Sequence, residues 1–468
     1  MTNNQITIIR FIERSQALQA EALEFLKTYG YLIILGIIAV AIVIWTGKRA
    51  ITAITKARKV GLTWVYKTKA DGIILGKEWS FRLISPSSKE GHCAVFGSSG
   101  SGKTSCVGIP TLQSWKKGNF FAIDISGDIS RNVDGEDIII YEPLSETTLP
   151  YDPFHIINSL ETVELKDEAL INLAFSLIPD NKENEVEKWF DDGGRDILKA
   201  ALISYYHKGY GFAKICQQII NNNYVSFFEN LDNIKNPEGL KYITQFLDMN
   251  EKSIAGCKQS ADKAVEVFTS PRLKNALVDL DKECECLAPE SIETHSIFLR
   301  IPDREKEQYA PLVSLVVNQM LQYLSARPEK YKKRLLIMID EFASFKTIDI
   351  SEPLQKLRKR NVRIMILLQS LAQLDRNYGV PARREMMDNF DINVVCKVTE
   401  IDSQEYFSKK GGTITSTKKT RNSQGGVSVS EVTMPAYEIN DFAKLKNKLI
   451  AFVNGESFKI KKAFYFKR

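Results

Sequence analysis

The most restrictive feature of the sequence is the run GSSGSGKT, which begins at Gly97 and ends at Thr104. It follows the apolar run from His92 to Phe96, so the predicted order is a strand, a glycine-rich loop and a helix. Glycines allow the backbone to wrap tightly, and successive N–H groups and the helix N-terminus then point at a phosphate. The pattern is typical of P-loops and predicts an α/β core. A glycine-serine linker, the alternative interpretation, is disfavoured by the preceding strand.

Each residue type in this loop has an expected role. Lys103 would place a positive charge at the β and γ phosphates of ATP, and Thr104 would offer its hydroxyl to Mg²⁺. The other residues predicted to bind the nucleotide are Gly97, Ser98, Ser99, Gly100, Ser101, Gly102 and Ser105. The sequence therefore predicts ATP and Mg²⁺ as ligands.

A second apolar run, RLLIMI at residues 334–339, is followed at once by Asp340 and Glu341. The run predicts a buried strand, and acids at the carboxyl end of a strand lie where ligands bind in open α/β sheets. We expect Asp340 to hold the Mg²⁺ shell. Glu341 would orient or deprotonate the attacking water.

A further strand-like run, RIMILLQS, ends at Gln369 and Ser370. An amide at the tip of this strand would contact the γ-phosphate or its attacking water and report hydrolysis. The alternative interpretation is a Ser370 that caps the next helix beside a solvent-facing Gln369.

Composition excludes some classes of function and favours others weakly. The net charge of +6 favours an anionic partner but does not establish DNA binding. Only Cys284 and Cys286 among the seven cysteines are close neighbours, and their spacing is not that of a CxxC zinc site. The chain also lacks an HExxH motif. The sequence therefore predicts reduced thiols and no structural metal.

Residues 28–47 form an uncharged, largely apolar run of the length that a helix needs to cross a bilayer. Lysine and arginine are concentrated after it, in residues 48–59, so the C-terminal bulk is expected on the cytoplasmic side and the N-terminus outside. Residues 1–27 are predicted to form an extracytoplasmic or interfacial segment, either a short amphipathic helix or a fraying tail.

The rest of the chain changes character twice. Strand-like runs dominate residues 48–159, long helical patterns dominate residues 160–290, and strands alternating with helices return in residues 291–468. This order predicts an α/β nucleotide-binding domain in two parts, with a largely parallel sheet and an inserted all-α domain. Residues 413–434, rich in Thr, Ser, Gly and Lys, are predicted to be a mobile loop or a weak hairpin.

From about residue 70 to its end the sequence resembles the TraG/TraD-type coupling proteins, the DNA-transfer ATPases of type IV secretion and conjugation. The resemblance lies in ordered blocks: HCAVFGSSGSGKTSCVGIPTLQSW, AIDISGD, YDPFHII, KWFDDGGRDILKAALISYY, IFLRIPDREKEQYAPLVSLVVNQML, IDEFASF, LQKLRKRNVRIMILLQSLAQL and YFSKKGGTIT. It implies a RecA-like ring motor at the bacterial inner membrane. Such a motor is a homo-hexamer with nucleotide at its subunit interfaces and substrate in a central pore.

The resemblance also implies that an arginine reaches the γ-phosphate of the neighbouring subunit. Arg358, in LQKLRKRNVR, is the candidate, with Arg360 and Arg363 as competitors. A solvated basic face is the alternative. The sequence departs from the family in three ways. It has one predicted membrane helix, it reads Ser126-Gly127-Asp128 after the second strand, and it has no acidic C-terminal tail. The last departure implies that cargo is recruited elsewhere, by the helical domain.

The leading hypothesis is a membrane-anchored ATPase that recruits DNA, single- or double-stranded, with its attached relaxase or relaxosome proteins, and pumps it to a type IV secretion channel. The alternative hypothesis is a receptor ATPase for protein effectors. A chromosome-segregation translocase, a membrane-tethered protease and a non-hydrolysing scaffold are further classes. The missing HExxH motif disfavours the protease, and the complete nucleotide motifs disfavour the scaffold.

Overall fold

A computed structural model of the chain describes residues 62–79, 82–86, 91–179, 185–278, 285–345, 347–421 and 427–466. The predicted segment 1–27 and the predicted transmembrane helix 28–47 lie outside these ranges. Residues 64–468 form one compact unit. Within the described ranges, no helix combines the length and the apolar character needed to cross a membrane.

Fourteen strands are described. They are β1 (Leu62–Tyr66), β2 (Gly76–Trp79), β3 (Arg82–Pro86), β4 (Cys93–Gly97), β5 (Gly118–Asp124), β6 (Ile138–Tyr141), β7 (Ser296–Arg300), β8 (Arg334–Ile339), β9 (Val362–Leu368), β10 (Ile392–Lys397), β11 (Thr413–Arg421), β12 (Val427–Pro435), β13 (Lys448–Val453) and β14 (Glu456–Lys461). Twelve of them form one sheet in the order β1-β3-β2-β14-β13-β10-β4-β9-β8-β5-β7-β6.

Seven neighbouring strands of this sheet, from β10 to β6, run parallel to one another. Every residue of β4 and β9 is buried. Strands covered on both faces have continuous apolar runs, which explains the strong strand pattern of the sequence at these positions. The strands β13, β14, β2 and β3 continue the sheet on one side with antiparallel pairing. The predicted α/β class with a largely parallel sheet is confirmed.

Twelve α-helices are described. They are α1 (Ile109–Gln113), α2 (His155–Asn158), α3 (Val163–Leu177), α4 (Glu185–His207), α5 (Phe212–Asn221), α6 (Tyr224–Ile234), α7 (Pro237–Leu240), α8 (Glu251–Val265), α9 (Ala310–Ser325), α10 (Ser351–Lys356), α11 (Leu371–Asp388) and α12 (Ile401–Lys410). The helices α3 to α8 lie between β6 and β7 in the chain and form the predicted helical insertion.

The helical insertion is held together by close helix packing. In α4, a Cβ added to Gly194 would lie 2.9 Å from the Cβ of Ser260 and 3.0 Å from the backbone N of Ala261, both in α8. The glycine therefore lets the two helix backbones approach more closely than any side chain would allow. The N-cap of α3 is Thr162, whose hydroxyl accepts a hydrogen bond from the N–H of Leu165.

Residues 413–421 and 427–435 form a two-stranded ribbon rather than an irregular loop. The strands β11 and β12 pair along nine residues each, from Thr413 opposite Pro435 to Arg421 opposite Val427. They form a separate two-stranded sheet. Of the two predicted alternatives for this segment, the hairpin is the one found.

Candidate nucleotide site

The P-loop follows β4 at the carboxyl edge of the parallel strands. Gly100 and Gly102 have φ values of 68° and 91°, a region in which glycine is free of the strain that a Cβ would cause. Lys103 Nζ donates a hydrogen bond of 2.7 Å to the carbonyl oxygen of Gly97. A π-helical turn, Thr104–Gly108, then begins the helix that continues as α1. The predicted order of strand, loop and helix is confirmed.

Thr104 and Asp340, which are 236 residues apart in sequence, meet at this loop. The Thr104 hydroxyl donates to Asp340 Oδ2 at 3.1 Å. Asp340 is 7% exposed, and burial raises the pKa of its carboxyl to about 6, although the Thr104 hydroxyl and the Lys103 charge act in the opposite direction. A hydroxyl and a carboxylate are hard oxygen ligands that fit Mg²⁺, whose charge would favour the ionised form of Asp340.

Lys103 is half-buried in the same region. Burial lowers the pKa of its ammonium group, and the nearby carboxylates of Asp340 and Glu341 partly offset this effect. The contact with the Gly97 carbonyl therefore supplies only a neutral partner to a desolvated charge. An anionic phosphate would be a stronger partner for it.

Glu341 has φ 47° and ψ 43°, the left-handed region that residues other than glycine seldom occupy. Its carboxylate accepts a hydrogen bond of 2.8 Å from Lys306 Nζ, which also donates to Asp303 Oδ1 at 2.7 Å. Burial would lower the pKa of Lys306, but these two hydrogen bonds outweigh it and the pKa is raised. The sequence analysis missed Lys306, and its only signal was its position just after β7 at the same edge of the sheet.

Gln369 follows β9 and lines a cavity of about 600 Å³ together with Lys103, Glu341, Gln373 and Arg376. Its backbone N–H donates to Gln373 Oε1 at 3.1 Å. The structure thus places Gln369 beside the predicted catalytic groups. Arg376, in the second turn of α11, is a cation of this cavity that the sequence analysis did not identify.

Ser370 occupies the N-cap position of α11, but its side chain makes no capping hydrogen bond. The N–H of Leu371 instead donates to the hydroxyl of Ser403 at 2.9 Å. The alternative interpretation of this segment, a capping Ser370, is therefore wrong.

Arg358 lies just before β9, at the opposite edge of the sheet from the P-loop. Its guanidinium contacts the carboxylate of Asp391 at 3.1 and 3.2 Å, and 51% of its side chain is exposed. In contrast, Arg363 is buried and donates to backbone carbonyls, and Arg360 donates to the carbonyl of Arg327. Arg358 therefore lies away from the P-loop of the same chain.

Two acids, Asp124 and Asp128, lie at or near the segment Ser126-Gly127-Asp128, where the sequence departs from the family pattern. Both contact neighbouring residues of the same loop. Asp124 is fully buried, and its carboxylate accepts hydrogen bonds from the N–H groups of Ile129 at 3.4 Å and Ser130 at 2.7 Å. Asp128 forms an exposed ion pair with Arg131 at 2.7 Å. Asp124 therefore stabilises the loop after the second parallel strand.

Residues 48–468 match the protein family described as "Type IV secretory system Conjugative DNA transfer". The chain belongs to this family. The type IV secretion system-coupling protein VirD4 of Bartonella quintana (strain Toulouse) is 20% identical over 368 residues, which cover 75% of this chain and 56% of VirD4. A conjugal transfer protein TraG of Escherichia coli is 20% identical over 392 residues, which cover 76% of this chain and 61% of TraG. The chain thus spans less than two thirds of these relatives.

Solved structures of this family share the fold. The conjugative coupling protein TrwB in an unbound monoclinic form is similar, with a TM-score of 0.66, 18% identity and coverage of 79% of this chain and 84% of that chain. TrwB in complex with ADP and Mg²⁺ also has a TM-score of 0.66 and 18% identity, covering 85% of this chain and 92% of that chain. The predicted RecA-like architecture with a helical insertion is therefore confirmed for the coupling-protein chain described here.

Proposed function

We propose that this chain hydrolyses ATP with Mg²⁺ and uses the energy to deliver DNA, with its attached relaxase, to a type IV secretion channel. The observation that carries the proposal is the 3.1 Å contact between Thr104 and Asp340, with Lys103, Glu341 and Gln369 beside it at one edge of the sheet. These are the groups that phosphoryl transfer to water requires.

Each residue would act at a stated atom. Lys103 Nζ would leave the Gly97 carbonyl and bind the β and γ phosphates, while the loop N–H groups bind the remaining oxygens. Thr104 and Asp340 would hold Mg²⁺, which neutralises charge on the β and γ phosphates when bound. Glu341 would leave Lys306 and accept the proton of the attacking water. Gln369 would donate its amide N–H to the γ-phosphate or hold that water.

Completion of this site requires a second subunit. We propose a homo-hexamer in which Arg358 leaves Asp391 and binds the γ-phosphate of the neighbour, where it would stabilise the charge of the transition state. Its half-exposed guanidinium and its distance from its own P-loop support this role. The same proposal assigns residues 48–159 and 291–468 to the nucleotide-binding domain, and residues 160–290 to the all-α domain.

The substrate and the location follow from the family. Its description names conjugative DNA transfer, and VirD4 and TraG are described as coupling and conjugal transfer proteins. We propose DNA, relaxase or relaxosome proteins, channel components and further copies of this chain as partners. The inner membrane is the proposed site of action, with residues 28–47 as the anchor. The net charge of +6 agrees with an anionic substrate but is too small to decide it.

The test is ATP hydrolysis by the full chain in detergent or nanodiscs, with and without DNA of random sequence. We expect DNA to stimulate hydrolysis, and we expect the DNA affinity to fall steeply between low and physiological salt because bound lysine and arginine release counterions. Glu341→Gln provides the background rate. Nucleotide hydrolysis without any DNA binding at low salt would contradict a DNA substrate and favour protein effectors.

A further inference from the structure

Two segments join the sheet to the helical insertion, and they run side by side. Residues 150–155 lead out of the sheet, and residues 285–290 lead back into it. The N–H of Leu287 donates to the carbonyl of Pro150 at 2.7 Å, and the N–H of Asp152 donates to the carbonyl of Leu287 at 3.1 Å. These backbone bonds fix Cys286, the residue before Leu287, beside Asp152.

A tight turn brings a third polar side chain to the same place. The carboxylate of Asp152 accepts a hydrogen bond of 2.8 Å from the N–H of Phe154, and the chain then enters α2 at His155. One potential ligand atom from each of Asp152, His155 and Cys286 lies within 4.8 Å of the other two. All three side chains are half-buried, so they are partly shielded from water and still accessible to an ion.

A fourth residue supports a metal at this position. His155 Nε2 lies 2.8 Å from Glu290 Oε1, on the returning segment. Metal-binding histidines usually donate their other ring N–H to a carboxylate, which fixes the tautomer and makes the ligating nitrogen more basic. The contact with Glu290 therefore leaves Nδ1 as the nitrogen that would bind a metal.

We propose that Asp152, His155 and Cys286 bind a zinc ion that ties the outgoing segment to the returning one at the base of the helical insertion. A thiolate, an imidazole and a carboxylate are the donors that Zn²⁺ takes in proteins, and water would complete a tetrahedral shell. Bond lengths of about 2.0 to 2.3 Å would bring the ligand atoms to about 3.5 Å from one another. The side chains therefore need to move by roughly 1 Å, which rotation about their χ angles supplies.

This site is separate from the nucleotide site and does not depend on the proposed function. The sequence analysis predicted no structural metal because it searched for ligands that are close in sequence, and 131 positions separate His155 from Cys286. The thiolate disfavours Mg²⁺ and Ca²⁺, which prefer oxygen ligands. The proposed zinc site would limit the movement of the helical insertion relative to the sheet.

The test uses the full chain, stripped of metal by a chelator and titrated with Co²⁺ without nucleotide. We expect one equivalent of Co²⁺ to bind with a thiolate-to-metal charge-transfer band in the near ultraviolet, and Zn²⁺ to abolish the band by displacement. Cys286→Ser should abolish the band while leaving the circular dichroism spectrum unchanged. Glu290→Gln should weaken binding by about 10- to 100-fold, the usual effect of removing a group that orients a ligand.

Two control variants distinguish this site from other candidates. His207→Ala removes a histidine that contacts Asp167 at 2.6 Å elsewhere in the helical insertion, and it should leave the band unchanged. Asp340→Asn should also leave it unchanged, because Asp340 belongs to the nucleotide site. Absence of a thiolate band in the wild-type chain would overturn the proposal, as would a band that survives Cys286→Ser or a band that His155→Ala leaves unchanged.

Discussion

Buried charges lie at both edges of the central sheet, but the pair at the amino edge and the charges of the nucleotide site at the carboxyl edge have different kinds of partner. At the amino edge, Arg327 and Glu293 are 1% and 3% exposed and make two parallel hydrogen bonds of 2.7 Å. Two further N–H groups of Arg327 donate to the carbonyl oxygens of Lys333 and Arg360 at 2.8 Å. Each of the three guanidinium nitrogens therefore has a hydrogen-bond partner within the chain.

In the nucleotide site, at the carboxyl edge, the charges have poorer partners. Asp340 has a pKa raised to about 6 by burial, and the pKa of Lys103 is lowered by burial, while its Nζ donates to a neutral carbonyl. Perturbed pKa values of this kind cluster at functional sites, because a ligand completes the electrostatics there. The buried pair at the amino edge therefore serves stability, whereas the nucleotide site at the carboxyl edge is suited to a charged ligand.

The largest expected effect tests whether the two edges meet in the proposed homo-hexamer. Arg358→Ala should leave ATP binding nearly intact and reduce hydrolysis by about 10³- to 10⁵-fold, the range known for arginine fingers. Mixing Arg358→Ala subunits with Lys103→Ala subunits creates interfaces in which an intact P-loop faces an intact arginine. Two inactive proteins should then recover ATPase activity together. Mixed oligomers that stay inactive, while Arg360→Ala or Arg363→Ala complements, would reassign the role.

Glu341→Gln should retain ATP binding and reduce turnover by about 10²- to 10⁴-fold, because the amide cannot accept the proton of the attacking water. Lys103→Ala is the matched comparison and should instead lose tight binding. Nucleotide affinity by fluorescence titration and phosphate release separate the two effects. Wild-type turnover in Glu341→Gln would remove Glu341 from the mechanism.

Breaking the buried pair at the amino edge should mainly destabilise the fold. Glu293→Gln leaves the Arg327 charge without its anion, and such changes cost about 3 to 5 kcal/mol of unfolding free energy. Asp391→Asn, which breaks the half-exposed contact with Arg358, should cost about 0 to 1 kcal/mol. Denaturant unfolding of the two variants checks the difference. If both variants lost a similar unfolding free energy, the buried pair would not stabilise the fold more than the half-exposed contact does.

At the carboxyl edge, removing a charge should stabilise the fold instead of destabilising it. The pKa of Asp340 rises from 3.8 in the unfolded chain to about 6. Its ionised form therefore destabilises the nucleotide-free fold by about 3 kcal/mol above pH 6, and this destabilisation is absent below pH 4. Asp340→Asn keeps the oxygen that accepts from Thr104 and should raise thermal stability at pH 8 but not at pH 4. If Asp340→Asn were less stable than the wild-type chain at pH 8, the ionised Asp340 would not be an unsatisfied charge.

The smallest expected effect concerns Lys306, whose ammonium group holds the Glu341 carboxylate in an ion pair. A partly exposed ion pair contributes about 1 kcal/mol at most, so Lys306→Met should raise basal hydrolysis by up to about five-fold. Lys67→Met, a change of the same kind far from Glu341, is the matched control. A fall in the rate would instead show that Lys306 positions Glu341 for catalysis.

Sequence alone determined the motifs whose residues are contiguous. The run from Gly97 to Thr104, the acids Asp340 and Glu341, and Gln369 each follow an apolar strand, and parallel strands bring their carboxyl ends to one edge of a sheet. The prediction that these residues come together at one site therefore required only the strand order of a RecA-like fold. The resemblance to coupling proteins pointed to Arg358 by the same contiguous blocks.

Only the tertiary structure revealed the contacts between segments that are distant in sequence. Lys306 meets Glu341 through a loop that comes from another strand, and Arg376 enters the cavity from the helix after Gln369. His155 and Cys286 meet because the outgoing and returning segments of the helical insertion pair through their backbones. The physical reason is that a local sequence pattern determines in which helix or strand a residue lies, and near which end of it. Which side chains then face each other depends on how the distant parts of the chain pack.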